Sequence, residues 1–376
     1  MNGQWRGKYS GSRQGTITVN VDERPSQYEG LAYLDDEDRQ NIPSVAVSFR
    51  TLNKNHSFRV RTSAMLPIDP FSGFPTSLSI WEEQIKSHYP ANVTMSKWAD
   101  VTGSWKDNEL NLSWKSDIGL EGNCTLTKLA AGQPSELVSL KKDWRTYKEY
   151  VASLKRRNYL FRGQNKPWRL RTSFHRAGRA DVSRFVRDDI PVLHRHLSVR
   201  TKHLFNRANP EENGSFFNLI QHHGYPTPIL DWTYSPYVAA FFAYRGISNE
   251  KAAASKPTDV VRILVFDHLK WRTDFNQLLF LDPATLHFSV AEFIAIENER
   301  MIPQQAASTV TNIDDIESYI RSKETAEKTY LWAIDLPVSQ RREVANDLRY
   351  MGITAGSLFP GLDGMCEELK ERNFEL

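Results

Sequence analysis

Cysteine is nearly missing from this chain of 376 residues: only Cys124 and Cys366 occur, far apart and without Cys or His companions at ligand spacing. That argues against both a disulfide framework and a zinc site, and it fits a reducing compartment. An excess of charge of one sign is missing too. The 48 Lys and Arg stand against 45 Asp and Glu, and a formal net charge of +3 gives no bulk electrostatic case for nucleic-acid binding, although local patches remain open. No run approaches the roughly twenty apolar residues that a helical membrane span requires. The opening Met1-Asn2-Gly3-Gln4-Trp5-Arg6-Gly7 lacks the apolar stretch of a secretion signal. The expectation is a soluble, cytoplasmic protein with no membrane contact.

What is present is an ordinary globular composition, 40% hydrophobic and 25% charged, with 11% aromatic residues. The length exceeds what one core usually fills, so two domains are expected. Residues 1–130 read as short alternating segments separated by turn residues: Gly15 to Val21, Val45 to Phe49, Ser57 to Arg61, Leu110 to Trp114 and Gly122 to Thr127. Strands with one buried face predict an antiparallel β barrel or sandwich for partner or target recognition. Trp81, Trp98, Trp105 and Trp114 are expected in its core, and a helical insertion is expected near Ser79 to Ser87. The stretch Ala130-Ala131-Gly132-Gln133-Pro134-Ser135 has the character of a linker.

The second domain, 141–376, is expected to be mixed. Asp143 to Arg157 and Asp181 to Leu204 carry helical periodicity, and Ser235-Pro236 opens a helix whose interior, Val238 to Ala243, is nearly all apolar and therefore buried. Strands are predicted at Val260 to Phe266, Phe293 to Ile296 and Lys328 to Ile334. The whole is α+β.

Several separated motifs stand in this half: Phe161-Arg162-Gly163, Leu170 to Arg176, Gln221-His222-His223-Gly224-Tyr225-Pro226-Thr227, Leu230-Asp231-Trp232-Thr233-Tyr234-Ser235-Pro236, and Leu358-Phe359-Pro360-Gly361-Leu362-Asp363-Gly364. Their order resembles the FRG domain family over roughly 141–376. A weaker resemblance is to ADP-ribosyltransferases of the arginine, serine, glutamate type. Those enzymes have an aromatic-Arg-Gly on a first strand, a hydroxyl-bearing segment leading into an Ala/Phe helix, and a Glu-any-Glu opening a late strand. Phe161-Arg162-Gly163, Thr233-Tyr234-Ser235 and Glu297-Asn298-Glu299 match these three.

The resemblance implies an ADP-ribosyltransferase-like domain with NAD as substrate. Cleaving the nicotinamide bond passes through an oxocarbenium-like ribose, which a nearby carboxylate stabilises. Glu299 is the candidate. Glu297, two residues away and so on the same strand face, would orient or deprotonate the acceptor. Arg162 would hold pyrophosphate or ribose, joined by Arg176, and Gly163 would let the nicotinamide amide approach the backbone. Thr233, Ser235 and Asp231 complete the cofactor-binding set, with Asp231 the substitute carboxylate. No metal is called for. By resemblance the setting is a bacterial toxin or anti-phage defence effector, with a protein or nucleic-acid acceptor and an antitoxin or regulatory protein as partner.

Plainer readings stand beside these. Arg162 and Asp231 form a structural ion pair, or the domain binds a nucleotide or nucleic acid without chemistry, or Asp231 and His223 serve a hydrolase or nuclease. His222-His223 reads most simply as one packed and one solvated ring, and Lys155-Arg156-Arg157 with Arg169 and Arg171 as a solvated basic face.

Overall fold

Turn residues at 12–14, 24–27 and 107–108 fold the first 128 residues into hairpins, and a computed structural model describes residues 1–62, 64–128 and 133–374 of the chain. The strands are β1 (Gly3–Gly11), β2 (Gly15–Glu23), β3 (Tyr28–Asp36), β4 (Val45–Arg50), β5 (Ser57–Arg61), β6 (Ala64–Pro67), β7 (Ala99–Lys106), β8 (Glu109–Ser116) and β9 (Glu121–Lys128). They form one antiparallel sheet in the order β5-β7-β8-β9-β1-β2-β3-β4-β6. The sheet curls on itself, because β1 pairs with both β2 and β9 and thereby brings the two ends of this segment together. The alternation read from sequence is the cause: in β9, Gly122, Cys124 and Leu126 point inward and the residues between them outward. Trp5, Ile17, Val19, Val21, Leu110 and Leu126 fill the interior.

Trp81 lies elsewhere. It is buried in the short helical insertion, where it packs with Ile85 and Val93 rather than in the barrel core. Trp105 and Trp114 are half-buried against the barrel core, and Trp98 lies beneath the Arg61 guanidinium at 3.9 Å.

A second sheet contains β10 (Ser139–Lys141), β11 (Tyr159–Gln164), β12 (Ile229–Thr233), β13 (Val260–Asp267), β14 (Phe288–Ala291), β15 (Ala306–Thr311) and β16 (Leu331–Pro337). Its order is β10-β16-β13-β11-β12-β15-β14. The middle of this sheet is weak. β11 shares six register pairs with β13 and β12 shares five with β15, whereas β11 and β12 meet only at Phe161 and Thr233. Beyond that pair the sheet divides into two halves, and the division positions the site. Helix Pro236–Tyr244 follows directly from β12 and packs across β11 and β13.

One expectation about this half is corrected. Phe293 to Ile296 is a loop, not a strand; both residues pack against the aromatic cluster of Phe216 and Phe217, so their apolar character reflects packing of a loop onto a helix. The long helix or helix pair expected over 181–204 is present as one continuous helical run over 182–197, with the π-helical segment Phe185–Asp189 between Val182–Arg184 and Ile190–Leu197. The expected linker falls partly on residues 129–132, outside the described residues.

The first sheet is bonded to loops and a helix of the second half. Fully buried Asp22 of β2 accepts from the Arg179 guanidinium at 2.5 Å and from the Ala180 amide at 2.8 Å, and Arg184 pairs with Glu29 of β3. Gln4 of β1 donates to the Asn312 carbonyl at 2.9 Å and accepts from the Asp314 amide at 3.2 Å. Among the described residues no helix is long and apolar enough to cross a membrane.

Candidate functional site

Where β11 and β12 part, a cavity of about 330 Å³ opens between the half-sheets. β11 contributes Arg162 and Gly163, β12 contributes Asp231 and Thr233, β15 contributes Ser308, and helix Pro210–His222 contributes Asn218, Gln221 and His222. The loop entering β15 adds Asn298, Arg300 and Gln304, and Phe359 closes one side.

Alternation along β11 separates the roles of its motif. Phe161 faces the core with the Ala-rich helix, and Gly163 faces that helix too. A Cβ at Gly163 would stand 1.9 Å from the Ala239 carbonyl oxygen. The close approach that Gly163 permits on this side is that of the helix backbone.

Arg162 turns the other way. Its Nη1 donates to the backbone carbonyl of Asp231, and its Nε is buried without a partner. Burial lowers its pKa, opposed by the Asp231 charge, with Arg176 lowering it further. The Asp231 side chain has accessible area and yet is surrounded by protein, as befits a group standing in a cavity. Burial raises its pKa, against the opposing pull of Arg162, a hydrogen bond with Gln221 and the charge of Arg176. His222 is pushed down to about 4, by burial first and then by Arg300 and His223. His223 is exposed and does not line the cavity, so the Asp231 and His223 pairing does not converge there.

The hydroxyls of the second motif are committed locally. Thr233 donates to the Gln304 carbonyl at 2.7 Å and accepts from the Ser235 amide at 3.0 Å, and Ser235 caps the following helix through the Val238 amide at 3.2 Å. They fix the β12-to-helix corner and the base of the β15 loop.

The glutamate pair is not on a strand. Residues 292–305 are loop, Glu297 has the left-handed φ of 53°, and the two-residue strand alternation that placed both carboxylates on one face does not apply. Glu297 accepts from the His203 amide, and Glu299 is exposed. The residues interleaved with them line the cavity instead. Asn298 is 8% exposed with its Oδ1 unpartnered. Arg300 stands 5.0 Å from the Phe359 ring and meets no carboxylate at ion-pair distance among the described residues. Sequence reading missed Asn298 and Arg300 as site residues; their signal was the same two-residue spacing, one position out of phase. Nor did it select Asn218, Gln221 or Phe359.

Arg176 lies beside this cavity, in a neighbouring one of about 590 Å³ that shares Arg162, Gly163 and Phe242 with it. The cleft thus joins two guanidinium groups that form no carboxylate salt bridge among the described residues, one enclosed carboxylate and amide side chains, a set suited to a phosphate-bearing ligand. Among the described residues no group of three His, Cys, Asp or Glu side chains could hold a metal ion.

Residues 157–252 match the family model described as FRG domain. The chain carries an FRG domain. The matched segment supplies the walls at Arg162, Gly163, Gln221 and Asp231, while Asn298, Arg300 and Phe359 come from beyond it. No curated protein matches the chain. Two solved structures are similar in part. The redesigned beta barrel mFAP1 bound to DFHBI has a TM-score of 0.23 and 10% identity, over 34% of this chain and 93% of that one. A fluorescence-activating beta barrel designed de novo has a TM-score of 0.22 and 14% identity, over the same 34% and 93%.

Proposed function

We propose that the cleft of the FRG domain binds NAD and transfers its ADP-ribosyl group to an acceptor, with Asp231 in place of Glu299 as the carboxylate at the reacting ribose. The observation that carries this reading is the unpartnered, buried Nε of Arg162 in the same cavity as Arg300. The Asp231 charge only partly offsets the burial of the Arg162 guanidinium, which favours an anionic ligand beside it, and Arg300 in the same cavity adds a second guanidinium for the two phosphates of a dinucleotide. Asp231 is the one carboxylate among the described lining residues.

The reaction follows from those groups. The bond between ribose C1′ and the nicotinamide nitrogen breaks, and its electron pair leaves with nicotinamide. Ionised Asp231 stabilises the positive charge that develops on the ribose, and its raised pKa suits it to take the acceptor's proton as the new bond to C1′ forms. Arg162 and Arg300 hold the pyrophosphate, and Arg176 stands outside it in the neighbouring cavity. Gly163, Thr233 and Ser235 act indirectly, by seating the helix and the loop that shape the cleft.

The test is nicotinamide release from NAD by the purified protein, with NAD binding measured separately by calorimetry. Asp231→Asn is expected to lower release by roughly a hundredfold or more while keeping NAD affinity, and Arg162→Ala to weaken NAD binding itself. Glu299→Ala is expected to change neither. Binding without release by any form would leave a nucleotide-binding module, and absence of both would end the NAD reading. Loss of release in Glu299→Ala with retention in Asp231→Asn would return the carboxylate role to Glu299.

A further inference from the structure

The neighbouring cavity has a use that the NAD cleft does not explain. Trp168 on its wall is 56% exposed, so much of its indole ring is open to the cavity mouth and solvent. Its indole nitrogen donates to the Asn165 side chain at 3.3 Å, and the Lys166 ammonium stands 5.6 Å from its ring centroid. A flat ring is therefore held with a cation over one face, so a stacking partner would take the other.

The arginines of the same wall divide into two kinds. Arg169 and Arg171 are committed to Asp315 at 2.8 Å and Asp314 at 2.5 Å. Arg176 donates to the Arg171 carbonyl at 2.6 Å, which engages only part of its guanidinium fork. Burial and the Arg171 charge lower its pKa, so a further anion beside it would relieve repulsion.

We infer that this second cavity receives a single strand of nucleic acid as the acceptor, with one base stacked on Trp168 and the adjoining phosphates against Lys166 and Arg176. The inference rests on the transferase reading of the adjoining cleft, because Arg162 and Gly163 form the wall common to both and bring a stacked nucleotide next to the ribose of NAD. An exposed aromatic face with flanking cations is the combination by which sequence-tolerant single-strand binders work, each stacked base counting for several-fold or more in affinity. With a net charge of only +3 the binding is local, so its salt dependence is shallow, about 0.7 in logarithmic slope for each phosphate engaged.

The experiment uses fluorescein-labelled oligothymidylate and oligouridylate, followed by anisotropy at several salt concentrations, with the full chain and without NAD. Binding is expected for at least one polymer. Trp168→Ala should weaken it at least fivefold, Trp168→Phe should restore most of the loss, and Arg176→Gln should reduce the salt slope. Exposed Lys202→Ala serves as the charge control and should change nothing. Absence of binding to both polymers, or binding indifferent to Trp168→Ala and Arg176→Gln, overturns the proposal, as does transfer to a protein acceptor that survives both substitutions. Nicotinamide release without oligonucleotide binding would discard the strand site and keep the transferase. Binding that maps to Trp168 without nicotinamide release would do the reverse.

Discussion

Gly163→Ala separates packing from ligand approach in the Phe-Arg-Gly motif. The added methyl carbon would lie 1.9 Å from the Ala239 carbonyl oxygen and 2.6 Å from the Ala243 amide nitrogen. Both are backbone atoms of helix Pro236–Tyr244, so no side chain can swing aside. Non-bonded heavy atoms settle at roughly 3.5 Å or more, and the helix must therefore lift by about 1.5 Å. Lifting loosens Ala239, Ala240 and Ala243, each completely buried against β11 and β13. Overpacking of well-filled cores costs about 1–3 kcal/mol, and rigid neighbours put this case at the upper end. A loss of about 3 kcal/mol corresponds to a fall in Tm of roughly 6–12 °C for a unit of this size. Thermal unfolding and urea titration of the variant measure it directly. A Tm unchanged to within about 2 °C, together with weakened NAD binding, would refute the packing argument and restore Gly163 to ligand contact.

Two further stability predictions follow from buried carboxylates. Burial raises the Asp181 pKa to about 7 from an ordinary 3.8, so the folded chain holds this proton more tightly than the unfolded one. Its contribution to stability falls as pH rises through that window; Asp181→Asn, which keeps the cap on the Arg184 amide, should raise Tm above pH 7 and have no effect near pH 4. An equal effect at both values would be inconsistent with this titration. Asp315→Ala should cost about 3 kcal/mol by leaving the buried Arg169 guanidinium with only the exposed Glu136, at 3.6 Å, as a carboxylate partner, with most of the loss recovered in Asp315→Ala combined with Arg169→Met, as read by urea midpoints. Failure of the double variant to recover would locate the cost in the lost cap on Ser318 instead.

The barrel strands were legible because alternation over a half-buried sheet leaves a period of two in the text, and the bounds read at Ser57 to Arg61 are the observed ones. The helix after Ser235 was legible for a local reason as well, a capping serine followed by proline. The cavity was legible only in its first two walls. Arg162 and Asp231 sit on strands, where neighbours in sequence dictate the face. Asn298 and Arg300 sit in a loop whose direction is set by the positive φ of Glu297 and by anchoring of the preceding apolar residues on a distant helix, and neither leaves a period in the sequence. Phe293 shows the same limit: its ring covers Gly214, a contact across 79 positions that reads as a strand fragment when only its neighbours are considered. Gly163 was recognised as a close-approach residue, but what approached it required the fold.

The solitary rung between Phe161 and Thr233 has a mechanical meaning. Each half-sheet is laddered firmly within itself, so the two can swing as stiff leaves about one joint, with the side chains of Arg162 and Asp231 on facing edges. Spreading the leaves costs that rung, about 1–3 kcal/mol, together with the Arg162 bond to the Asp231 carbonyl and part of the packing of Leu230 and Trp232 against Leu160 and Phe266, so a ligand clasped by the two guanidinium groups has to return all three. The aperture is thus set by what lies between the leaves, and amide exchange at Thr233 should report its width before any change is visible elsewhere in the sheet.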